Sequence, residues 1–380
     1  MSSSNHSFLS KNNIIKIYRF YRLYGFARTY VKTMGRLRFK YIITIPIALI
    51  NRKKHVGIIG CGQFSFATIG FFLRKNQGSV IKKSYDINFK NSYTFSRYYK
   101  TFSVNRVEEI IDDPEISLVY IASNHASHTD YAIMAIEKGK DVYIEKPIST
   151  SFEQFTLLNE VISKKTSNVY VGYNRPFSKA IKEIKKLMPE ERSPITLNCF
   201  IIGHVIPIEH WYRKPGEGTR VCGNLGHWID LSVHILSSYE IPNQWDISIT
   251  YSNKNESDDN LTVTIITEQS DLITLTLTSR DEPFEGINES INLQMGNLIA
   301  KIDDFRKINI WQGEKFVRRK YFRKDVGHKK AILQPFEKDR RQWKELKIST
   351  LIMLFIAEMV ENKEERSTFE LNKIISRYSV

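Results

Sequence analysis

The run Gly60-Cys61-Gly62-Gln63-Phe64-Ser65 stands where a short apolar segment, His55–Gly60, gives way to a helical stretch reaching about Arg74. Glycines at that junction do two separate jobs. Gly60 permits a tight turn, and Gly62 lets backbone come close to a pyrophosphate. The helix start, with Gln63 and Phe64, turns free N–H groups toward the phosphates. Ser65 stands where a third glycine is usual and is small enough for close helix–strand packing. Asp86 ends the next strand, about where an acid accepts the hydroxyls of an adenosine ribose. A dinucleotide cofactor is the chemistry these residues support. The plainer alternative is a two-glycine turn followed by a solvated strand-end acid. His204, His210, His227 and His234 match no finger, HExxH or facial-triad spacing, so no metal site is expected. Cys61, Cys199 and Cys222 are too few and too scattered for a disulfide scaffold, which suits a reducing cytoplasm.

The elements around the turn alternate. Val80–Ile87, Glu115–Ser123, Asp141–Glu145 and Val169–Tyr173 are near-continuous apolar strands, and Thr129–Lys138 and Ser151–Lys164 are helices between them. That pattern predicts a parallel sheet covered on both faces. After Pro194 the chain becomes strand-rich. In Leu261–Glu268, Leu261, Val263 and Ile265 share one face; in Leu272–Ser279, Thr274, Thr276 and Thr278 do. The expected fold is therefore α/β, a Rossmann dinucleotide-binding domain followed by an α/β domain with a large, mostly antiparallel open sheet. The boundaries read as a basic extension over 1–54, the Rossmann domain over 55–173, a substrate and oligomerisation domain over 174–345, and a C-terminal helical segment over 346–380.

Charge separates the extension from the body. The 380 residues carry a net +15. Twelve of the 56 basic residues and none of the acidic ones lie in 1–54, which leaves 44 against 41 for the rest. A body so nearly neutral argues against nucleic-acid binding. In the extension, Ile17, Tyr18, Phe20, Tyr21, Tyr24 and Phe26 interleave with Arg19, Arg22 and Arg28, as in basic amphipathic helices. Two expectations stand side by side. The segment lies on an anionic membrane surface, helped by the apolar run Tyr41–Ile50, or its aromatics pack on the catalytic body, with the C-terminal helix Leu346–Asn362 as a candidate partner. No run is long enough to span a bilayer.

Glu145-Lys146-Pro147 after the fourth strand and Gly172-Tyr173-Asn174-Arg175-Pro176-Phe177 after the next, taken with the turn at Gly60–Ser65, resemble the Gfo/Idh/MocA oxidoreductase family. Ile206-Pro207, His210-Trp211, Gly223–Asp230, Asp303–Arg306 and Gly327-His328 are similar to a branch associated with polysaccharide biosynthesis. The resemblance implies a cis Lys146–Pro147 bond that aims Lys146 at nicotinamide and substrate, and a catalytic role for His227. Hydride transfer from a secondary alcohol needs a base for the hydroxyl proton and a cation for the developing alkoxide, and these two residues supply both. Where many relatives carry an acid before the histidine, this chain has Gly223 and Asn224.

Further residues are expected at the cofactor or the substrate. Ser123, Asn124, His128 and Glu145 join Gly60, Gly62, Gln63, Phe64, Asp86 and Lys146 on the cofactor side. A helix-start role explains His128 equally well. Tyr173, Asn174, Arg175, Asn224 and Asp230 are candidate substrate contacts, as are His210 and Trp211, for which domain-core packing weighs evenly. NAD is favoured over NADP, because a carboxylate repels a 2′-phosphate and no arginine lies in Ser84–Phe89; Arg97 would have to fold back. The reading is a cytoplasmic NAD-dependent oxidoreductase acting on a sugar or nucleotide sugar in glycan metabolism. It is expected as a homodimer or homotetramer, with peripheral membrane contact through 11–54. The alternatives are an inositol or polyol dehydrogenase, and an NAD-binding scaffold or regulator.

Overall fold

Residues 11–38, 52–256, 258–280 and 286–378 are described by the computed structural model. Two amphipathic helices come first, α1 (Lys11–Tyr24) and α2 (Phe26–Leu37). The apolar run Tyr41–Ile50 lies outside the described residues.

Val56–Ile59 forms β1, buried at every position. The chain then alternates α3 (Gly70–Gln77), β2 (Ile81–Tyr85), α4 (Phe89–Tyr99), β3 (Phe102–Ser103), α5 (Glu108–Ile111), β4 (Leu118–Ile121), α6 (His128–Glu137), β5 (Asp141–Ile144), α7 (Phe152–Lys164) and β6 (Val169–Val171). The six strands pair in parallel in the order β3-β2-β1-β4-β5-β6. Order reverses at β1 and β4, so a crevice opens beyond their C-terminal ends, where such sheets bind ligands.

The second sheet starts after α8 (Lys179–Leu187), with β7 (Ile195–Ile202). Next come α9 (Gly226–Leu236), β8 (Gln244–Tyr251), β9 (Leu261–Thr267), β10 (Leu272–Thr278), β11 (Asn288–Met295), β12 (Leu298–Asp303), β13 (Lys307–Gln312) and β14 (Lys315–Lys320). The chain closes with α10 (His328–Leu333), α11 (Trp343–Glu361), β15 (Arg366–Glu370) and α12 (Leu371–Tyr378). Nine strands run β14-β13-β12-β11-β7-β10-β9-β8-β15, antiparallel except for β7 beside β10. Their alternation puts Leu261, Val263, Ile265, Ile273, Leu275 and Leu277 inward, in one core with Trp228 of α9 and Leu351 of α11. The outward threonines pair across strands, Thr262 with Thr276 at 3.1 Å. Helix α10 crosses back to the first domain, where Ile332 and Leu333 join the core of Val56, Phe66 and Tyr120.

The hairpin α1–α2 packs on the glycine turn. Gly35 sits so close that a Cβ there would lie 2.9 Å from Gln63 Oε1 and from the Phe66 ring. Gln63 Nε2 donates to the Lys32 carbonyl at 2.9 Å, and Lys324 N–H donates to the Leu23 carbonyl. Its partner is thus the glycine turn rather than the C-terminal helix suggested by the sequence. Opposite, Ile14, Tyr18, Tyr21 and Phe26 are exposed. No helix among the described residues is long and apolar enough to cross a membrane.

Candidate active site

Gly60 has φ +86°, and an added Cβ would lie 2.4–2.5 Å from the backbone of Ala122 and Ser123, so the turn nests against the end of β4. The Cys61 N–H donates to Asp86 Oδ2 at 2.7 Å, and the Asn88 N–H donates to Oδ1 at 2.8 Å. Around Gly62, by contrast, no heavy atom of the described residues beyond its chain neighbours comes within 4 Å of where a Cβ would sit. The close approach falls on the side open to a ligand. The buried Ser65 hydroxyl donates to the Gly60 carbonyl at 2.5 Å, so the residue replacing a third glycine locks the turn it belongs to. Ser65–Ile69 makes a π-helical turn ahead of α3, a widening often found at functional sites. Phe64 lies 5.8 Å from the ring of His328.

Beyond β4, Ser123 accepts from the Ser127 hydroxyl. Asn124 Nδ2 donates to Glu217 Oε1 at 2.7 Å, and His125 Nδ1 to the Glu217 carbonyl at 2.9 Å. The loop therefore ties the two domains together. His128 is buried, and its Nδ1 donates to the Pro147 carbonyl at 2.8 Å; burial brings its pKa down to about 4. Trp211 meets His125 edge-on at 4.7 Å at the rim. His210 caps its own turn instead, accepting from the Tyr212 N–H at 3.2 Å.

At the far end, the Lys146–Pro147 bond is cis. Lys146 Nζ donates to the Gly223 carbonyl at 2.7 Å. Gly223 belongs to a second π-helical turn, Val221–Leu225, that leads into α9, and His227 stands in the first turn of that helix. The imidazole lies 5.8 Å from the Tyr173 ring, and Tyr173 is itself buried, its hydroxyl 3.4 Å from Met353 Sδ. Burial, then the charges of Arg175 and Lys146, hold His227 well below its ordinary pKa, so the imidazole is neutral. Glu145 shares this floor. Its carboxyl accepts from the Tyr143 hydroxyl at 2.9 Å, and burial pushes its pKa up to about 7. Gly172 leaves room for it, since a Cβ there would be 2.6 Å from Glu145 Oε1.

Three expected substrate contacts are committed elsewhere. Arg175 is buried and donates to Glu289 through Nε at 3.0 Å and Nη2 at 3.1 Å, with its guanidinium over the Trp228 ring. Asn174 Nδ2 donates to the Val326 carbonyl. Asp230 is fully buried, and both its oxygens accept from Arg341 at 2.9 Å. Its spacing from His227 does place it on the same side of α9, but that helix is buried all round, so the shared side leads into the core. Sequence reading missed Glu217, His328 and Arg38, which long-range folding brings to the cleft; Gly327-His328 was visible as a motif without a role.

Asn224 Oδ1, His227 Nδ1 and His328 Nδ1 are buried without a hydrogen-bond partner among the described residues. These three orphaned polar atoms, together with the open face of Gly62, fit a dinucleotide and a hydroxylated substrate. Among the described residues no cluster of three or more metal-ligating side chains occurs.

Known proteins resemble this chain in sequence and in fold. Residues 54–173 match the family model of the oxidoreductase family with NAD-binding Rossmann fold, Gfo/Idh/MocA. Oxidoreductase P35 of Formosa agariphila is 30% identical over 178 residues, 45% of this chain and 51% of that protein. Glucose-6-phosphate 3-dehydrogenase of Bacillus subtilis is 24% identical over 196 residues, 48% and 52% of the two chains. The chain thus spans about half the length of these curated relatives. A levoglucosan dehydrogenase solved with NADH superposes with a TM-score of 0.69 at 15% identity, over 84% of this chain and 99% of that one. Through residues 54–173 the chain is thus similar to the Gfo/Idh/MocA family of NAD-binding oxidoreductases.

Proposed function

We propose that the protein is an NAD-dependent dehydrogenase acting on a secondary hydroxyl of a sugar-type substrate. The observation that carries this reading is the meeting of Lys146, His227 and the unpartnered Asn224 oxygen at the end of the cleft that Gly62 leaves open. The turn at Gly60–Phe64 would hold the pyrophosphate and Asp86 the adenosine ribose. When bound, the cofactor supplies the hydride acceptor. His227, which stands in the first turn of α9 beside Tyr173, is the residue we assign to take the hydroxyl proton. The Lys146 ammonium faces the alkoxide oxygen as charge develops there. Asn224 and Trp211 are the contacts that orient a ring of hydroxyls. Relatives named for glucose 6-phosphate and for levoglucosan support the sugar class, and we take a sugar or nucleotide sugar of glycan assembly as the substrate. The exposed apolar residues of α1, flanked by Lys16, Arg19 and Arg22, support placement at an anionic membrane surface. Nicotinamide absorbance followed against a panel of sugars, sugar phosphates, nucleotide sugars and inositols tests the activity. Silence across the panel despite tight dinucleotide binding would favour a scaffold instead.

A further inference from the structure

The glycine turn beside Asp86 receives a guanidinium from the end of α2, far from Asp86 in the chain. Arg38 caps α2 in the left-handed conformation, φ 48° and ψ 42°, and turns its side chain onto the glycine turn. Nη2 donates to the Cys61 carbonyl at 2.6 Å, and Nη1 to the Asn91 carbonyl at 3.2 Å and the Thr94 hydroxyl at 3.1 Å. The guanidinium stands 4.8 Å over the Phe66 ring. Cys61 therefore hands its N–H to the Asp86 carboxylate and its C=O to Arg38, so one residue separates the acid from the cation. Asp86 is less repulsive to an anion than its charge alone suggests, because it already accepts from the N–H groups of Cys61 and Asn88 and from Asn91 Nδ2. A guanidinium has five donors, of which the bonds above use three, and its planar fork suits a phosphate. Lys90, exposed in the first turn of α4, adds a second positive charge on that side.

We infer that the N-terminal extension builds a phosphate subsite at the adenosine ribose, with Arg38 as its anion-binding residue, so that the protein accepts NADP alongside NAD. The inference rests on the dinucleotide reading above and concerns one end of that site. The competing role for Arg38 is a brace that only fastens α2 to the turn. A brace holds the turn for both cofactors; a phosphate subsite serves NADP alone.

Calorimetric titration of the full chain with NAD and NADP, for the wild type, Arg38→Met and Arg38→Lys, separates the two. The wild type is expected to bind NADP within tenfold of NAD. Arg38→Met should weaken NADP at least tenfold while NAD changes less than threefold, and Arg38→Lys should recover part of the loss. A wild-type preference for NAD beyond tenfold, or a parallel loss of both cofactors in Arg38→Met, overturns the subsite while leaving the dinucleotide reading intact. Binding of neither cofactor to the wild type overturns both. Should Arg38→Met fail to fold, competition on the wild type decides: 2′,5′-ADP must displace NAD better than 5′-AMP does, and the reverse order overturns the subsite.

Discussion

At the residue scale, two glycines one residue apart make opposite demands. Gly60→Ala puts a Cβ into the backbone of Ala122 and Ser123 and forces a side chain into a positive-φ conformation that by itself costs about 1–2 kcal/mol. It should lower the melting temperature and the yield of folded protein. Gly62→Val meets empty space and should leave the melting temperature near that of the wild type while reducing dinucleotide affinity at least tenfold. Equal losses of stability in the two variants would refute the assignment of the open side to the cofactor. For the chemistry, Lys146→Ala and His227→Ala should each cut turnover roughly 100-fold or more, the scale of acid–base and charge stabilisation. Calorimetry on the same variants should find dinucleotide binding retained, since the pyrophosphate is held at the other end of the cleft. Turnover near normal in His227→Ala removes that residue as the base.

At the scale of elements, the hairpin α1–α2 has two sides with two roles. Its inner side covers Phe66 and holds Gln63 through the Lys32 carbonyl, so it is structural to the cofactor turn. A chain beginning at Lys53 should therefore melt lower and bind dinucleotide more weakly than the full chain. The outer side of α1 leaves Ile14, Tyr18 and Tyr21 in solvent beside Arg19 and Arg22. Sedimentation with anionic vesicles should carry down the full chain at low salt and release it at high salt, because such attraction is screened within a Debye length. The shortened chain should stay in the supernatant. A full chain indifferent to the vesicles limits the hairpin to its packing role.

For the whole molecule, burial of neutral histidines sets an acid limit. His125, His128, His227, His234 and His328 are all held below the ordinary imidazole range, chiefly by burial, His128 and His234 down to about 4. An unfolded histidine titrates near 6.5, so below that pH the unfolded chain takes up protons that the folded chain refuses, and stability falls. For His128 the loss starts near pH 6.5, is complete near pH 4, and amounts to something on the order of 3 kcal/mol at about 1.4 kcal/mol per pH unit. Glu145, pushed up to about 7, works the other way between about pH 4.5 and 7, since its folded form takes up a proton first, and Asp230, Asp304 and Glu358, also raised by burial, act in the same direction, but the buried histidines outnumber them. Melting temperature should thus drop by at least about 5 °C between pH 7.5 and 5. A rise over that interval would contradict the neutral-histidine account.

The sequence by itself determined what depends on local pattern. The apolar period of two located β9 and β10 within a residue or two, and the glycine pair announced the tight turn between β1 and the helix that follows, because a turn, a strand end and a helix start are made by neighbours in the chain. Strands β11 to β14 escaped notice: in β11 to β13 the buried apolar residues alternate with Asn, Gln and Lys that keep each run short of a continuous apolar pattern, and β14, at the open edge, has no buried residue. Only the tertiary structure decided which polar side chains remain for a ligand. Arg175 and Asp230 carry the right chemistry, yet Glu289 and Arg341, each more than a hundred residues away, neutralise them in the core. The same long-range folding brings Arg38 and His328 to a cleft whose motifs lie elsewhere in the chain. Availability of a charge is a matter of what stands opposite it, and spacing along the sequence holds no record of that.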